Sequence, residues 1–117
     1  MSIFVRARFE VRDHQQGEFD NVAQALREQA RDEPGTLTYR WFSSADGGYL
    51  VLEEYSDSAA AVAHNEQAAT LLERVAQCAD MVDAEVYGDI GPEIREWVRA
   101  HPQVRAFADV VDHRAQS

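Results

Sequence analysis

The chain has 117 residues, enough for one domain that buries a hydrophobic core without disulfides or metal ions. It carries 21 acidic residues against 11 basic ones, all of them Arg, and the net charge of −10 argues against nucleic acid as a partner. The absence of Lys excludes Schiff-base chemistry, and no apolar run reaches the about 18–20 residues of a membrane helix. Since the N-terminus also lacks the regions of a signal peptide, we expect a cytoplasmic protein with no membrane partner.

A strand and a helix are predicted at the start of the chain from two different periodicities. Apolar residues alternate over residues 3–11, which indicates a strand with one buried face. Asp13 followed by Gln16 resembles a capping box, and apolar residues then recur at helical spacing over residues 19–30. Pro and Gly at residues 34–35 end this helix.

A β-hairpin and a second helical region come next. Residues 36–44 and 49–55 have strand composition, and the Asp-Gly-Gly between them is typical of a tight turn. Helical spacing then covers residues 58–79, with a break expected near Asn65. Residues 81–87 are predicted to form the fourth strand.

The order βαββαβ predicts an α+β, ferredoxin-like fold, in which two helices cover one face of an antiparallel sheet. Residues 1–90 are expected to form this domain. Residues 91–117 are expected to form a helical extension of the same domain that helps to wrap a dimer. Within the extension, residues 104–111 are compatible with either a strand or a helix, because their apolar spacing fits both poorly.

The sheet face away from the helices is predicted to be partly apolar. Phe4, Leu50 and Leu52 fall on it when the opposite residues of their strands pack against the helices. An uncovered apolar face of this size is an aggregation hazard in a monomer, and pairing two sheets face to face removes it. We therefore expect a homodimer.

Neither a metal nor an organic cofactor is predicted. The four His residues are scattered, with no helical pair and no Cys-rich cluster, and no Gly-rich nucleotide fingerprint is present. Cys78 is the only cysteine, and its apolar neighbours indicate a buried, unreactive thiol.

Three segments resemble the antibiotic biosynthesis monooxygenase (ABM) family in order and spacing. They are residues 33–39 (EPGTLTY), residues 49–55 (YLVLEEY) and residues 58–64 (SAAAVAH). The chain departs from the family pattern at Tyr55, where Trp is usual, and after His64, where a Pro is usual. The resemblance covers about residues 3–88 and implies a dimeric α+β barrel with a pocket between sheet and helices.

The family includes cofactor-independent oxygenases that act on quinols and aromatic polyketide intermediates, so the resemblance implies a small aromatic or quinone-like ligand. The haem-degrading branch is disfavoured. Its helix carries Trp where this chain has His64, its haem-ligand His falls at Arg74, and its strand-one Asn is missing.

The resemblance places candidate site residues on this chain. A deprotonated quinol or anthrone reduces oxygen by itself, so the protein has to supply a base, hydrogen-bond donors and a dry pocket. His64 is the candidate base and Glu53 the carboxylate that orients it, while the candidate substrate-binding residues are Tyr39, Trp41, Tyr55 and Asn65.

Two functions remain open at this stage. One is a cofactor-independent monooxygenase that oxidises a small quinol or aromatic polyketide-like substrate with O2. The other is a non-catalytic small-molecule-binding protein, because this fold serves carriers and sensors as readily as enzymes.

Overall fold

The computed structural model describes residues 1–110 as five strands and four helices. In chain order they are β1 (Ile3–Val11), α1 (Gln16–Arg31), β2 (Thr36–Ser43), β3 (Gly48–Tyr55), α2 (Ser58–Gln67), α3 (Ala69–Cys78), β4 (Ala79–Tyr87), α4 (Gly91–Ala100) and β5 (Val104–Phe107). Residues 111–117, the last part of the predicted extension, lie outside the described residues. Over residues 1–110, no helix has the length and apolar character to span a membrane.

The strands form one sheet in the order β2-β3-β1-β4-β5. The pairs β2–β3, β3–β1 and β1–β4 are antiparallel, whereas β5 pairs with β4 in parallel, so the sheet is mixed and remains open. The predicted ferredoxin-like α+β fold is confirmed. The extension adds a helix and a fifth strand to this fold. Of the two alternatives left open for residues 104–111, residues 104–107 form a strand.

The core lies between the helices and the inner face of the sheet. On β1 the residues Ile3 and Ala7 are buried, as the alternation predicts. Helix α1 contributes Phe19, Val22 and Leu26, all with no exposed surface, to a cluster that also contains residues of α3. These residues recur at the helical period, so they form one apolar face, and the packing of this face in the core stabilises the helix.

The outer face of the sheet is mixed in character. Phe4 and Leu52 are exposed there, as predicted, with 45% and 39% of their surface accessible. Arg8 pairs on the same face with Asp83 at 2.7 Å. The apolar residues thus lie beside a row of surface ion pairs, which contribute little to stability one by one.

Two local predictions are corrected by the structure. Helix α1 begins at Gln16 with Gln15 as its N-cap, and no side chain caps it, so the predicted Asp13 capping box was wrong. The backbone of His14 is in the left-handed region, with a φ angle of 66°, and the amide of Gln15 donates a hydrogen bond to the carbonyl of Arg12 at 3.0 Å. This turn moves Asp13 out of the capping position, because an N-cap must directly precede the first helical residue.

The second helical region is divided into α2 and α3 at Ala68, three residues after the predicted break at Asn65. Cys78, the last residue of α3, is buried, and burial raises the pKa of its thiol. This agrees with the prediction of an unreactive cysteine.

Candidate functional site

A cavity of about 570 Å³ lies between the inner face of the sheet and helices α2, α3 and α4. Most of its lining is apolar, which is usual for a small-molecule site. Its polar lining residues are Arg12, Tyr39, Glu53, Tyr55, His64, Asn65, Asp80 and His101. A wider hollow of about 830 Å³ lies at the β2–β3 hairpin, and none of the predicted site residues lines it.

His64 lies on the inner face of α2, where only 2% of its surface is exposed. The helix is started by Asp57, whose carboxylate accepts a hydrogen bond from the amide of Ala60 at 2.8 Å. His64 Nδ1 lies 2.6 Å from Oε1 of Glu33, which is itself 8% exposed. A buried, charge-assisted hydrogen bond of this kind is among the stronger ones in proteins.

Glu33 is brought to His64 by the close approach of the turn after α1 to helix α2. A Cβ atom on Gly35 would lie only 2.4 Å from Cβ of Ala60, so the turn has room only for glycine. The amide of Ser56 also bonds to the carbonyl of Gly35 at 2.9 Å. The Glu33–His64 contact therefore depends on the close packing of Gly35, two residues after Glu33, against Ala60, one turn before His64.

Glu33 accepts two further hydrogen bonds, from Nε2 of Gln29 at 3.0 Å and from Oγ1 of Thr36 at 2.8 Å. Burial by itself raises the pKa of Glu33. The hydrogen bonds from Gln29, His64 and Thr36 outweigh burial, and the net pKa lies below its ordinary value. Glu33 is therefore an ionised carboxylate at neutral pH.

The ionised Glu33 fixes the proton arrangement of His64. A carboxylate only accepts hydrogen bonds, so Nδ1 of His64 carries the proton that joins them. In the neutral imidazole, Nε2 is then the nitrogen with a free electron pair. A proton added at Nε2 would place the charge of the imidazolium beside that of Glu33.

Glu53 lines the cavity directly and is the second carboxyl group near His64. In the sheet it lies opposite Val5 of β1 and Tyr39 of β2, so its side chain is on the inner face. Burial raises its pKa, the hydrogen bond with the Tyr55 hydroxyl and the charge of His64 lower it, and the net effect is an increase. The pKa of Glu53 is thus shifted in the direction opposite to that of Glu33.

Two tyrosines flank the imidazole of His64. The ring centroids of Tyr39 and Tyr55 lie 5.1 Å and 5.5 Å from that of His64. Burial, and next the charge of Glu53, raise the pKa of both phenols, so both hydroxyls stay protonated. The site therefore combines an ionised carboxylate, a basic imidazole, a carboxyl with raised pKa and two neutral hydroxyls.

Five of the six residues predicted for the site line this cavity: His64, Glu53, Tyr39, Tyr55 and Asn65. Trp41 does not line it. Its indole packs against Phe9 and Phe19, at centroid distances of 5.6 Å and 5.4 Å.

The carboxylate that bonds to His64 is Glu33, so the prediction that Glu53 orients this imidazole was wrong. Sequence reasoning missed Glu33, although this residue stands first in the EPGTLTY segment that carried the family resemblance. It also missed Trp97 and His101, which reach the cavity from the extension. Among residues 1–110, no three His, Cys, Asp or Glu side chains are grouped as metal ligands would be.

The sequence model of the antibiotic biosynthesis monooxygenase family matches residues 2–71, which is more than half of the chain. The chain belongs to this family. The match includes Glu33, Glu53, Tyr55 and His64, and it ends before α4 and β5. No curated protein matches the chain.

Solved structures share the fold of this family member. MupZ from Pseudomonas fluorescens is 21% identical with a TM-score of 0.78, and the alignment covers 92% of this chain and 89% of MupZ. Rv0793 from Mycobacterium tuberculosis is 20% identical with a TM-score of 0.67, over 79% of this chain and 98% of its own. A structure described as an antibiotic biosynthesis monooxygenase is 24% identical with a TM-score of 0.63, over 72% of this chain and 92% of its own.

Proposed function

We propose that this protein is a cofactor-independent monooxygenase that oxidises a small quinol or aromatic polyketide-like substrate with O2. Family membership supports monooxygenase activity at the coarse level. The observation that carries the finer proposal is the buried pair of ionised Glu33 and His64, of which His64 lines the same apolar cavity as Glu53, whose pKa is raised. The protein thereby offers a base and an acid to one molecule bound in the cavity.

The first step is removal of an acidic proton from the substrate. Nε2 of His64 takes the proton of a phenol, or of the CH2 carbon of an anthrone, and the electron pair stays delocalised over the rings. Glu33 stabilises the resulting imidazolium through the 2.6 Å contact at Nδ1. The hydroxyl of Tyr39 is suited to donate a hydrogen bond to the oxyanion, whereas the hydroxyl of Tyr55 already donates to Glu53.

The second step uses the electrons of the substrate itself. The carbanion transfers one electron to O2, and the radical pair combines to form a C–O bond, which gives a peroxide on that carbon. Loss of the remaining C–H proton to a base and cleavage of the O–O bond leave a C=O group and release water. One oxygen atom enters the product and the other leaves as water, so no external reductant is needed.

Glu53 is suited to supply the proton that this second step needs. The departing oxygen needs a proton as the O–O bond breaks, and a carboxyl group whose pKa is raised keeps its proton to a higher pH than an ordinary Glu and is suited to supply one. The apolar lining of the cavity limits water, which would otherwise solvate the carbanion. We assign Glu53 the role of general acid and His64 that of general base.

We also propose that the protein is a cytoplasmic homodimer whose sheets pack outer face to outer face. The exposed Phe4, Leu52 and Phe42 on that face support the dimer, since they form apolar surface that a partner sheet would cover. Residues 91–117 are proposed to belong to the same domain and to extend the dimer contact.

Oxygen uptake tests the function. The protein is dialysed against a chelator, freed of bound small molecules and mixed with dithranol, a dihydroxyanthrone, in an oxygen electrode without added cofactor. We expect uptake above the spontaneous rate, and a decrease of about a hundredfold or more in His64→Ala. Binding of the probe without accelerated uptake would replace the proposal with the non-catalytic binding function.

A further inference from the structure

The cavity contains a second imidazole on its other side. His64 contacts Tyr39 on β2 and Tyr55 on β3, whereas His101 follows α4, which packs against β5 and α2 and buries Ile94 in one cluster with Val86 of β4. Strand β1 lies between β3 and β4, so the strand under His64 and the strand under α4 are two strand spacings, or about 10 Å, apart. A ligand that fills the cavity meets both sides.

His101 is held in one orientation and one tautomer. Its Nδ1 lies 2.8 Å from the backbone carbonyl oxygen of Trp97, and its ring lies 5.0 Å from the indole of Trp97 at an interplanar angle of 38°. Since a carbonyl oxygen only accepts, Nδ1 of the neutral ring carries the proton and Nε2 is an acceptor. The His101 amide also bonds to the carbonyl of Val98 at 3.2 Å, which fixes the backbone.

The part of the cavity wall beside His101 is mostly apolar. The cavity wall between His101 and Glu53 is apolar and includes Val5, Val86 and Ile94. The charged residues near the α3–β4 end, Arg12 and Asp80, pair with each other at 2.7 Å. A ligand that lies against this wall without a donor for His101 leaves a half-buried acceptor unpaired, which costs binding free energy.

We infer that His101 binds a hydroxyl group of the substrate at the end of the cavity away from His64, and that it selects ring compounds with a second hydroxyl there. The neighbouring indole of Trp97 provides the aromatic surface against which the ring lies. Both residues belong to the extension, outside the residues 2–71 that match the family model. The inference rests on the proposed function in one respect only, namely which end of the substrate reacts.

The test is binding under nitrogen, where no oxidation occurs. The probes are the naphthalenediol with one hydroxyl at each end of the fused rings and 2-naphthol, and dissociation constants are measured by calorimetry. His101→Phe keeps an aromatic ring beside Trp97 and removes the acceptor. We expect it to weaken diol binding by about tenfold and naphthol binding by much less.

Two further variants separate binding from folding. His101→Gln keeps an N–H group for the carbonyl of Trp97 and an oxygen acceptor, and is expected to restore most of the diol affinity. Arg95→Ala, an exposed change on α4, is the matched control and should bind both probes like the wild type.

An equal loss for both probes, or no loss for the diol, would overturn the inference. If His101→Phe does not fold, full diol affinity in His101→Ala would overturn it instead. Because no turnover is measured, a selective loss of diol binding supports the role of His101 even if oxygen uptake fails and the proposed function with it.

Discussion

Replacing Glu33 with Gln removes one negative charge from the buried pair and keeps the shape of the side chain. Oε1 of Glu33 accepts the hydrogen bonds from His64 and Thr36, and Oε2 accepts the one from Gln29. The amide oxygen of Gln can keep the first two bonds, and the amide of Gln29 can turn to accept from the new NH2 group. Glu33→Gln therefore tests the charge of the pair rather than its packing.

The expected cost follows from these contacts. A hydrogen bond to a charged group contributes about 1.5–3 kcal/mol, against about 0.5–1.5 kcal/mol for a neutral one. We therefore expect Glu33→Gln to lower the free energy of unfolding by about 1–2 kcal/mol at neutral pH. Glu33→Ala leaves all three donors without their partner and should cost more.

The loss of stability in Glu33→Gln should depend on pH in a defined direction. The folded-state pKa of Glu33 lies below its ordinary value of 4.5. Its contribution is complete above the unfolded pKa and is lost as the pH falls through the folded pKa, because both states then bind the proton. Urea unfolding of wild type and variant should thus differ most at neutral pH and converge in acid.

The same substitution should slow turnover, because the charge that stabilises the imidazolium is gone. A loss of about 1–2 kcal/mol in the transition state, the difference between the charged and the neutral hydrogen bond, corresponds to about 5- to 30-fold in rate. The assay is dithranol oxidation in the oxygen electrode. Equal stability of wild type and Glu33→Gln at neutral pH, or a difference that grows in acid, would refute the ionised pair.

Three further predictions concern the carboxyl Glu53, the turn at Gly35 and the outer sheet face. Glu53→Gln should gain stability relative to wild type as the pH rises above 4.5 in urea unfolding, because the raised pKa makes ionisation of the wild-type carboxyl costly in the folded protein; a pH-independent difference would contradict this. Gly35→Ala should lose about 1–3 kcal/mol in the same assay because its Cβ meets Ala60, whereas Gly17→Ala, with open space around it, should not. Leu52→Glu should convert a dimer into a monomer in sedimentation at micromolar concentration; a monomeric wild type rules the dimer out.

Much of the fold could be predicted from the sequence because its signals are local. Alternation over residues 3–11 identifies both the first strand and its buried face, since side chains on a strand alternate strictly. Residues 104–107 carried no such signal. Val104 is the only buried residue of β5, and the strand exists because it pairs in parallel with β4, a contact between segments that local spacing does not report.

The start of α1 shows the limit of capping rules. Asp13 and Gln16 have the spacing of a capping box, but the left-handed conformation of His14 shifts the helix start by two residues. Such a conformation is uncommon outside glycine, so the sequence gives little warning of it.

The site was predictable where strand periodicity or the family resemblance fixes a position. Glu33 and His64 are 31 residues apart, and their contact depends on the approach of Gly35 to Ala60, which is a tertiary feature. Tyr39 and Trp41 lie on the same face of β2. Their different surroundings follow from their position along the strand, because Trp41 lies level with the aromatic cluster under α1.

Oxidation of dithranol under isotopically labelled O2 tests the central claim most directly. The protein is freed of metals and small molecules, and the product is analysed by mass spectrometry next to a reaction in labelled water with ordinary O2. The account predicts one labelled oxygen atom per product molecule from O2, formed by the wild type and about a hundredfold more slowly by His64→Ala. Product oxygen that comes from water, or equal rates for the two proteins, would contradict it.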